Sequence, residues 1–153
     1  MKAAIITADT LAYKTKDESA AAAVIKRLVE QVGFQVVFNA VLPEDEKVLA
    51  TVMERLADGE LVDVILTTGS TGVQKKDCVP EATRDVVERL VPGIPDAIRT
   101  YNIRYSKRAM LDRATAGIRG KTLIVNLPDT AKMVKEGLEY VMPELVHATE
   151  SLK

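Results

Sequence analysis

The chain has 153 residues, 47% of them hydrophobic and 28% charged, with a formal net charge of −1. That length suits one domain over residues 1–153 with one good core, and the composition is that of a globular protein. Near-neutral charge argues against bulk nucleic-acid binding, and no apolar run approaches the length needed to span a membrane.

In chain order, residues 1–7 read as a strand rather than a leader segment, and its buried part, residues 3–8, ends at Asp9-Thr10. A polar loop over 13–18 leads to a first helix for which Asp17 is the expected cap. Ala21, Val24, Ile25, Leu28 and Val32 recur at helical spacing, and Gly33 ends the element. Residues 34–42 read as a second strand. Pro43-Glu44-Asp45-Glu46 is an acidic turn that starts a helix with Val48, Leu49, Val52, Met53 and Leu56 facing inward. Asp63-Val64-Ile65-Leu66-Thr67-Thr68 is an apolar, β-branched run that ends abruptly in Gly69-Ser70-Thr71-Gly72. A loop with Lys75, Lys76 and Asp77 follows, and Pro80 opens a helix to about residue 90 with Val86, Val87 and Leu90 inward. After the break at Pro92-Gly93-Ile94-Pro95, residues 96–105 are helical and part of 110–118 forms a short strand. Residues 122–127 are a buried strand ending in Asn126-Leu127-Pro128-Asp129-Thr130, and two helices, 131–141 and 144–152, flank Pro143. Strands alternate with helices almost throughout. The chain is therefore of the α/β class, with a mainly parallel sheet covered on both faces.

Strand, glycine turn, polar loop and helix is the layout in which such folds hold ligands at the carboxyl ends of their strands. Three strands end in polar residues, at Asp9-Thr10, Thr67 to Gly72 and Asn126 to Thr130, which points to a shared crevice. Thr, Gly and Ser let backbone amides approach an anion, and Lys75 and Lys76 can neutralise its charge. The carboxylates near this edge are Asp9, Asp17, Glu44, Asp45 and Asp77. Mg²⁺ needs only one or two of them, because water and phosphate oxygens complete its shell. Glu44 and Asp45 also suit the first turn of a helix, where the dipole favours acidic residues. One cysteine, Cys78, excludes an internal disulfide and suits a reducing cytoplasm. It reads as a packing residue, since no histidine nearby in sequence would activate it. The one histidine, His147, reads as structural. Neither a P-loop nor a G-x-G-x-x-G dinucleotide motif is present. A Gly-x-x-Gly loop also grips nucleic acid in KH domains, but there it joins helices.

Thr67-Thr68-Gly69-Ser70-Thr71-Gly72, followed by Lys76-Asp77-Cys78-Val79-Pro80-Glu81-Ala82-Thr83, resembles the glycine turn and following segment of the Mog/MoaB family of molybdenum-cofactor biosynthesis, whose fold also occurs in gephyrin. Leu111-Asp112-Arg113-Ala114-Thr115-Ala116-Gly117-Ile118-Arg119 and Asn126-Leu127-Pro128-Asp129-Thr130 extend the resemblance over nearly the whole chain. It implies a three-layer α/β/α sandwich on a largely parallel sheet, a homotrimer or hexamer, and adenylylation of molybdopterin by ATP with Mg²⁺. On this resemblance Asp77 and Glu44 are the expected catalytic residues, and Asp77, Glu44 and Asp45 the expected metal ligands. The expected substrate contacts are Thr68, Gly69, Ser70, Thr71 and Gly72 in the turn, with Asp9, Asp17, Ser19, Arg113, Asn126, Pro128 and Asp129 around it.

The departures from the family pattern fall within these motifs. Ser70 and Asp129 stand where the family has glycine, Asp112 where it has serine, Val79 where it has threonine and Lys76 where it has arginine. Ser70 brings a Cβ to a backbone position that favours glycine, and Val79 brings no capping hydroxyl. Asp112 and Asp129 add negative charge where an anionic ligand is expected. An alternative reading is thus a noncatalytic pterin- or nucleotide-binding paralogue. A CinA-like domain is a third, but its G-G-L-G-P-T turn differs from Gly69-Ser70-Thr71-Gly72.

Overall fold

The computed structural model describes residues 1–153. Strands β1 (Lys2–Ala8), β2 (Gln35–Leu42), β3 (Val64–Thr68) and β6 (Thr122–Leu127) run parallel, while β4 (Arg89–Leu90) and β5 (Ala116–Arg119) extend the sheet with antiparallel pairings. All six make one sheet in the order β2-β1-β3-β6-β5-β4. Helices α2 (Ala20–Gln31), α5 (Gly93–Asn102) and α6 (Ala131–Ser151) cover one face, and α3 (Glu46–Asp58) and α4 (Val79–Val86) cover the other. The result is the expected α/β/α sandwich.

The central strands carry unbroken apolar runs through their middles because successive residues serve opposite layers. Ala3, Ile5, Val64, Leu66, Leu123 and Val125 pack toward Ile25, Leu28, Leu138 and Leu145. Their neighbours Ala4, Ile6, Ile65 and Ile124 pack toward Leu49, Met53, Val79, Ala82 and Val86. The interior of the sheet is therefore fixed by a sequence with no visible period.

The structure corrects several expected elements. Residues 13–15, read as the start of a loop, instead end a short helix, α1 (Thr10–Thr15), capped by Asp9, whose carboxylate accepts from the Ala12 amide at 3.0 Å. None of its residues is buried, so it leaves no apolar periodicity to detect. Ser19, not Asp17, caps α2 by accepting from the Ala22 amide; Asp17 is exposed and accepts from the Thr15 hydroxyl. Helix α4 stops at Val86, and the chain turns to pair with β5, which leaves Leu90 exposed rather than inward. Pro143 does not divide the last helix: α6 runs through it. An interior proline costs about 3 kcal/mol, but each large apolar side chain buried contributes about 1.5–3 kcal/mol. Val141, Met142 and Leu145, all buried around Pro143, are enough to offset it. Part of the ambiguous 110–118 segment is β5, preceded by a 3₁₀ turn at Lys107–Leu111.

Candidate active site at the carboxyl edge of the sheet

Strand order reverses at β1, whose neighbours β2 and β3 lie on its two sides, so a crevice opens beyond their carboxyl ends. The glycine turn after β3 lies across this crevice. Gly69 has φ +89°, and a Cβ there would sit 2.7 Å from the Ala8 carbonyl oxygen at the end of β1, so only glycine fits. Ser70 follows with φ +58°, a left-handed conformation that a non-glycine residue rarely adopts. Its side chain makes this position useful. The hydroxyl donates to Glu44 Oε2 at 3.0 Å and accepts from the Cys78 amide at 3.0 Å, while the Ser70 carbonyl accepts from the Val79 amide at 3.1 Å. Val79 lies inside α4 rather than at its cap, so satisfying the backbone at this helix entrance falls to Ser70.

Glu44 reaches the turn from the end of β2, with its side chain only 7% exposed. Its Oε1 accepts from the Thr10 amide at 3.2 Å, and its own amide donates to the Thr10 hydroxyl at 2.8 Å. Lys76 Nζ lies 3.9 Å from Oε1. Asp45, one residue on, accepts from the Lys47 and Val48 amides as the cap of α3. The two acidic neighbours therefore have different roles: Asp45 stabilises a helix end, and Glu44 faces the cavity.

Asp77 closes the other end of the turn. Its Oδ2 accepts from the Gln74 amide at 2.9 Å, and a Cβ on Gly72 would come within 2.9 Å of the same oxygen. Arg113 holds this loop from outside. It donates to the carbonyl oxygens of Gly72 (2.6 Å) and Asp77 (2.9 Å) and pairs with Glu81 at 2.7 Å, which holds the Glu81 carboxyl below its usual range. Burial pushes the Cys78 thiol up, against the pull of the Ser70 hydroxyl, as suits a packing residue.

The crevice widens into a cavity of about 700 Å³ whose opposite wall comes from α5, the 3₁₀ turn and the start of α6. Ile98 and Ala109 are its buried apolar members, and Tyr105 and Lys132 stand at its mouth with the ammonium 5.3 Å from the ring centre. Arg99 is anchored to the Ala114 carbonyl at 2.9 Å and to Asp96 at 2.8 Å, with Asp112 Oδ2 at 3.6 Å. Burial pushes the Asp112 carboxyl up, and nearby Asp129 adds to this, while Thr71 and Arg99 oppose it.

Of the residues expected at the site, Asp9, Glu44, Gly69, Ser70, Thr71, Gly72, Asp77, Pro128 and Asp129 line this one cavity. Five do not. Asn126 is fully buried, donating to the hydroxyls of Thr67 and Thr83 and accepting from the Thr115 amide, so its polar atoms tie strands together. Arg113 supports the turn from behind. Thr68 donates to the Pro128 carbonyl and so links two strand ends. Asp17 and Ser19 belong to the α1–α2 connection. His147 is exposed on α6. Arg99 and Tyr105 are cavity residues that the sequence did not single out; the Asp96–Arg99 spacing of three on a helix was the only signal, and it is a common surface pattern.

For a divalent cation, the donors are hard oxygens, which suit Mg²⁺. Asp77 and Glu44 reach the cavity and Asp45 does not, and nowhere do three carboxylate, histidine or cysteine side chains gather to form a metal cage. The residues fit a cation that arrives on a ligand's phosphates and takes one or two carboxylates, rather than one held by protein alone.

A parallel-sheet sandwich with a glycine turn at its switch point, facing a cavity of mixed polarity, defines a domain built to hold an anionic ligand at its strand ends. Residues 3–147 match the family described as "Probable molybdopterin binding domain", and the chain belongs to that family, among the Mog/MoaB proteins of molybdenum-cofactor biosynthesis. The molybdopterin biosynthesis enzyme MoaB of Thermus thermophilus has a similar structure, with TM-score 0.90 and 34% identity over 99% of this chain and 95% of that one. The Mog protein of Mycobacterium ulcerans gives TM-score 0.93 and 30% identity over 99% of both chains. The molybdopterin adenylyltransferase of Helicobacter pylori is 33% identical over 110 residues, 72% of this chain. The match spans 62% of that relative's length. No helix is long and apolar enough to cross a membrane.

Proposed function

We propose that residues 1–153 act as one unit that binds molybdopterin and transfers to it the adenylyl group of ATP. The observation that carries this reading is the Gly69–Gly72 turn at the switch point, with Asp77, Glu44 and Lys76 on the same cavity. The adenylyltransferase relatives support the choice of reaction. An oxygen of the pterin's terminal phosphate bonds to the α-phosphorus of ATP as the bond from that phosphorus to the bridging oxygen breaks, and pyrophosphate leaves. The chain's contribution is placement and charge. Backbone amides of the turn orient phosphate oxygens, Lys76 offsets their charge, and Arg113 keeps the turn from yielding. Asp77 and Glu44 would hold Mg²⁺, which supplies charge neutralisation on the transferred phosphoryl group.

Incubation with molybdopterin, ATP and Mg²⁺ tests this directly: adenylated pterin and pyrophosphate should appear together, and loss of both in Asp77→Asn should leave the fold intact. A second reading, binding without turnover, is favoured by the engagement of Glu44 with Ser70 and Lys76. Under it, molybdopterin binds but no pyrophosphate forms. The family's trimer or hexamer is the proposed assembly, and sedimentation at micromolar concentration should show it; a monomer across that range would refute it.

A further inference from the structure

We infer that Asp112 is the residue that reads the heterocycle, accepting paired hydrogen bonds from the 2-amino-4-oxopyrimidine edge of a pterin. This rests on the pterin-binding reading above and adds the substrate feature that is recognised. The cavity has two chemically different parts. Around the Gly69–Gly72 turn it is made of backbone, Lys76 and Asp77, which suits phosphate. The wall made by α5 and the 3₁₀ turn presents buried Ile98 and Ala109, with Tyr105 at the mouth, which suits the faces of a flat ring.

Asp112 is the carboxylate set in that second wall, with its side chain 14% exposed. A carboxylate has about four acceptor positions and no donor when ionised. Here one flank faces Arg99, which also bonds the Ala114 carbonyl and Asp96, and the Thr71 hydroxyl and the Ala114 backbone hold the carboxylate from within the protein. Arg99 thus balances the charge of Asp112. What the carboxylate still offers a ligand is its remaining acceptor positions, in a wall shaped for a ring. An N–H beside an exocyclic NH₂ offers two parallel donors at the spacing of a carboxylate, and a pterin ring carries that pair on its pyrimidine edge. A 2,4-dioxo ring offers one donor and one acceptor, which would face the carboxylate oxygen and repel it. A site built to hydrogen-bond a donor rejects the analogue that lacks it far more strongly than an apolar pocket rejects a missing methylene.

The test is a fluorescence titration of the full chain with 6-hydroxymethylpterin phosphate and with its 2-oxo analogue, the corresponding lumazine phosphate. Wild type should bind the pterin at least about tenfold more tightly, as expected for loss of one hydrogen bond to a charged group. Asp112→Asn and Asp112→Ser should lose most of that preference while melting near wild type. The serine variant checks that any loss is not caused by a misplaced amide. Pterin preference that survives in both variants would overturn the role of Asp112 and leave the pterin reading standing. Equal binding of the two pteridines by wild type would do the same. GMP carries the same edge on a purine and separates the two sources. Asp112-dependent binding of GMP, but of neither pteridine, would support the edge recognition and overturn the pterin reading. Absence of binding by all three would overturn both.

Discussion

The Ser70 hydroxyl donates to the Glu44 carboxylate across 3.0 Å, joining the turn after β3 to the end of β2 over the top of β1. This contact explains how a serine occupies a left-handed position in the turn. The backbone strain at φ +58° is of the order of 1–3 kcal/mol, and a hydrogen bond to a charged group returns about 1.5–3 kcal/mol. The two effects are close in size, so the sidechain makes the turn tolerable rather than unusually stable.

Ser70→Ala and Ser70→Gly separate the two effects. Alanine keeps the strain and loses the hydroxyl, so it should destabilise by about 2 kcal/mol; glycine loses the hydroxyl but relieves the strain, and should lose about 1 kcal/mol or less. Urea denaturation gives the order. Alanine equal to wild type would mean that the hydroxyl contributes nothing to holding the turn.

Asp77→Asn should leave stability within about 0.5 kcal/mol of wild type, because an amide oxygen can still accept from the Gln74 amide. The negative charge facing the cavity is lost, so Mg²⁺-dependent ATP binding should fall at least about tenfold. Calorimetric titration with and without Mg²⁺ reads this. A parallel drop in melting temperature and binding would instead make Asp77 a structural residue of the loop.

Glu81 gives a prediction about acid stability. Arg113 holds its carboxyl below the usual range, so the folded-state pKa lies below the unfolded value of about 4.3. The stability this confers is fully present above the unfolded pKa and is lost as pH falls through the folded one. Glu81→Gln should therefore melt lower than wild type at pH 7, with the difference shrinking below about pH 4. Asp112 shifts in the opposite direction, but it is present in both proteins and cancels in the difference. A difference independent of pH would show that the Arg113–Glu81 pair does not titrate as argued.

The central strands were legible because residues buried on both faces leave unbroken apolar runs, and the turn at Gly69 because glycines after such a run have few other uses. What escaped was set by contacts distant in sequence. Thr67 and Thr83 take the amide of Asn126, and Gly72 and Asp77 take the guanidinium of Arg113, so two residues that read as ligand contacts serve the framework. Asp17 was the expected cap on local grounds, but the extended backbone and the side-chain bond to the Ala22 amide belong to Ser19. Pro143 misled because local helix rules omit the burial that carries α6 through it. Asp45 and Glu44 look alike in a string of acids, yet one points along its own helix and the other across the sheet.

Asp129 tests how the cavity treats a phosphate near the start of α6. The residue is exposed on the cavity wall, just before a 21-residue helix whose cap, Thr130, accepts from the Met133 amide. It lines the cavity beside the approach that the helix dipole would offer an anion. At about 4 Å, repulsion between unit charges is about 1 kcal/mol in water and about 4 kcal/mol at an effective dielectric near 20. Because Asp129 is solvent-exposed, the smaller figure governs, which is roughly fivefold in affinity. Asp129→Asn should therefore tighten binding of a phosphorylated pterin by about that factor, and by less at high salt, where exposed charges are screened. Asp129→Gly should match the asparagine variant if charge alone matters, and exceed it if the bare backbone also admits the phosphate. Titration of the three proteins at two salt concentrations reads the result. Equal affinity in all three would show that the carboxylate turns away from the ligand and that the phosphate is held elsewhere, at the Gly69–Gly72 turn.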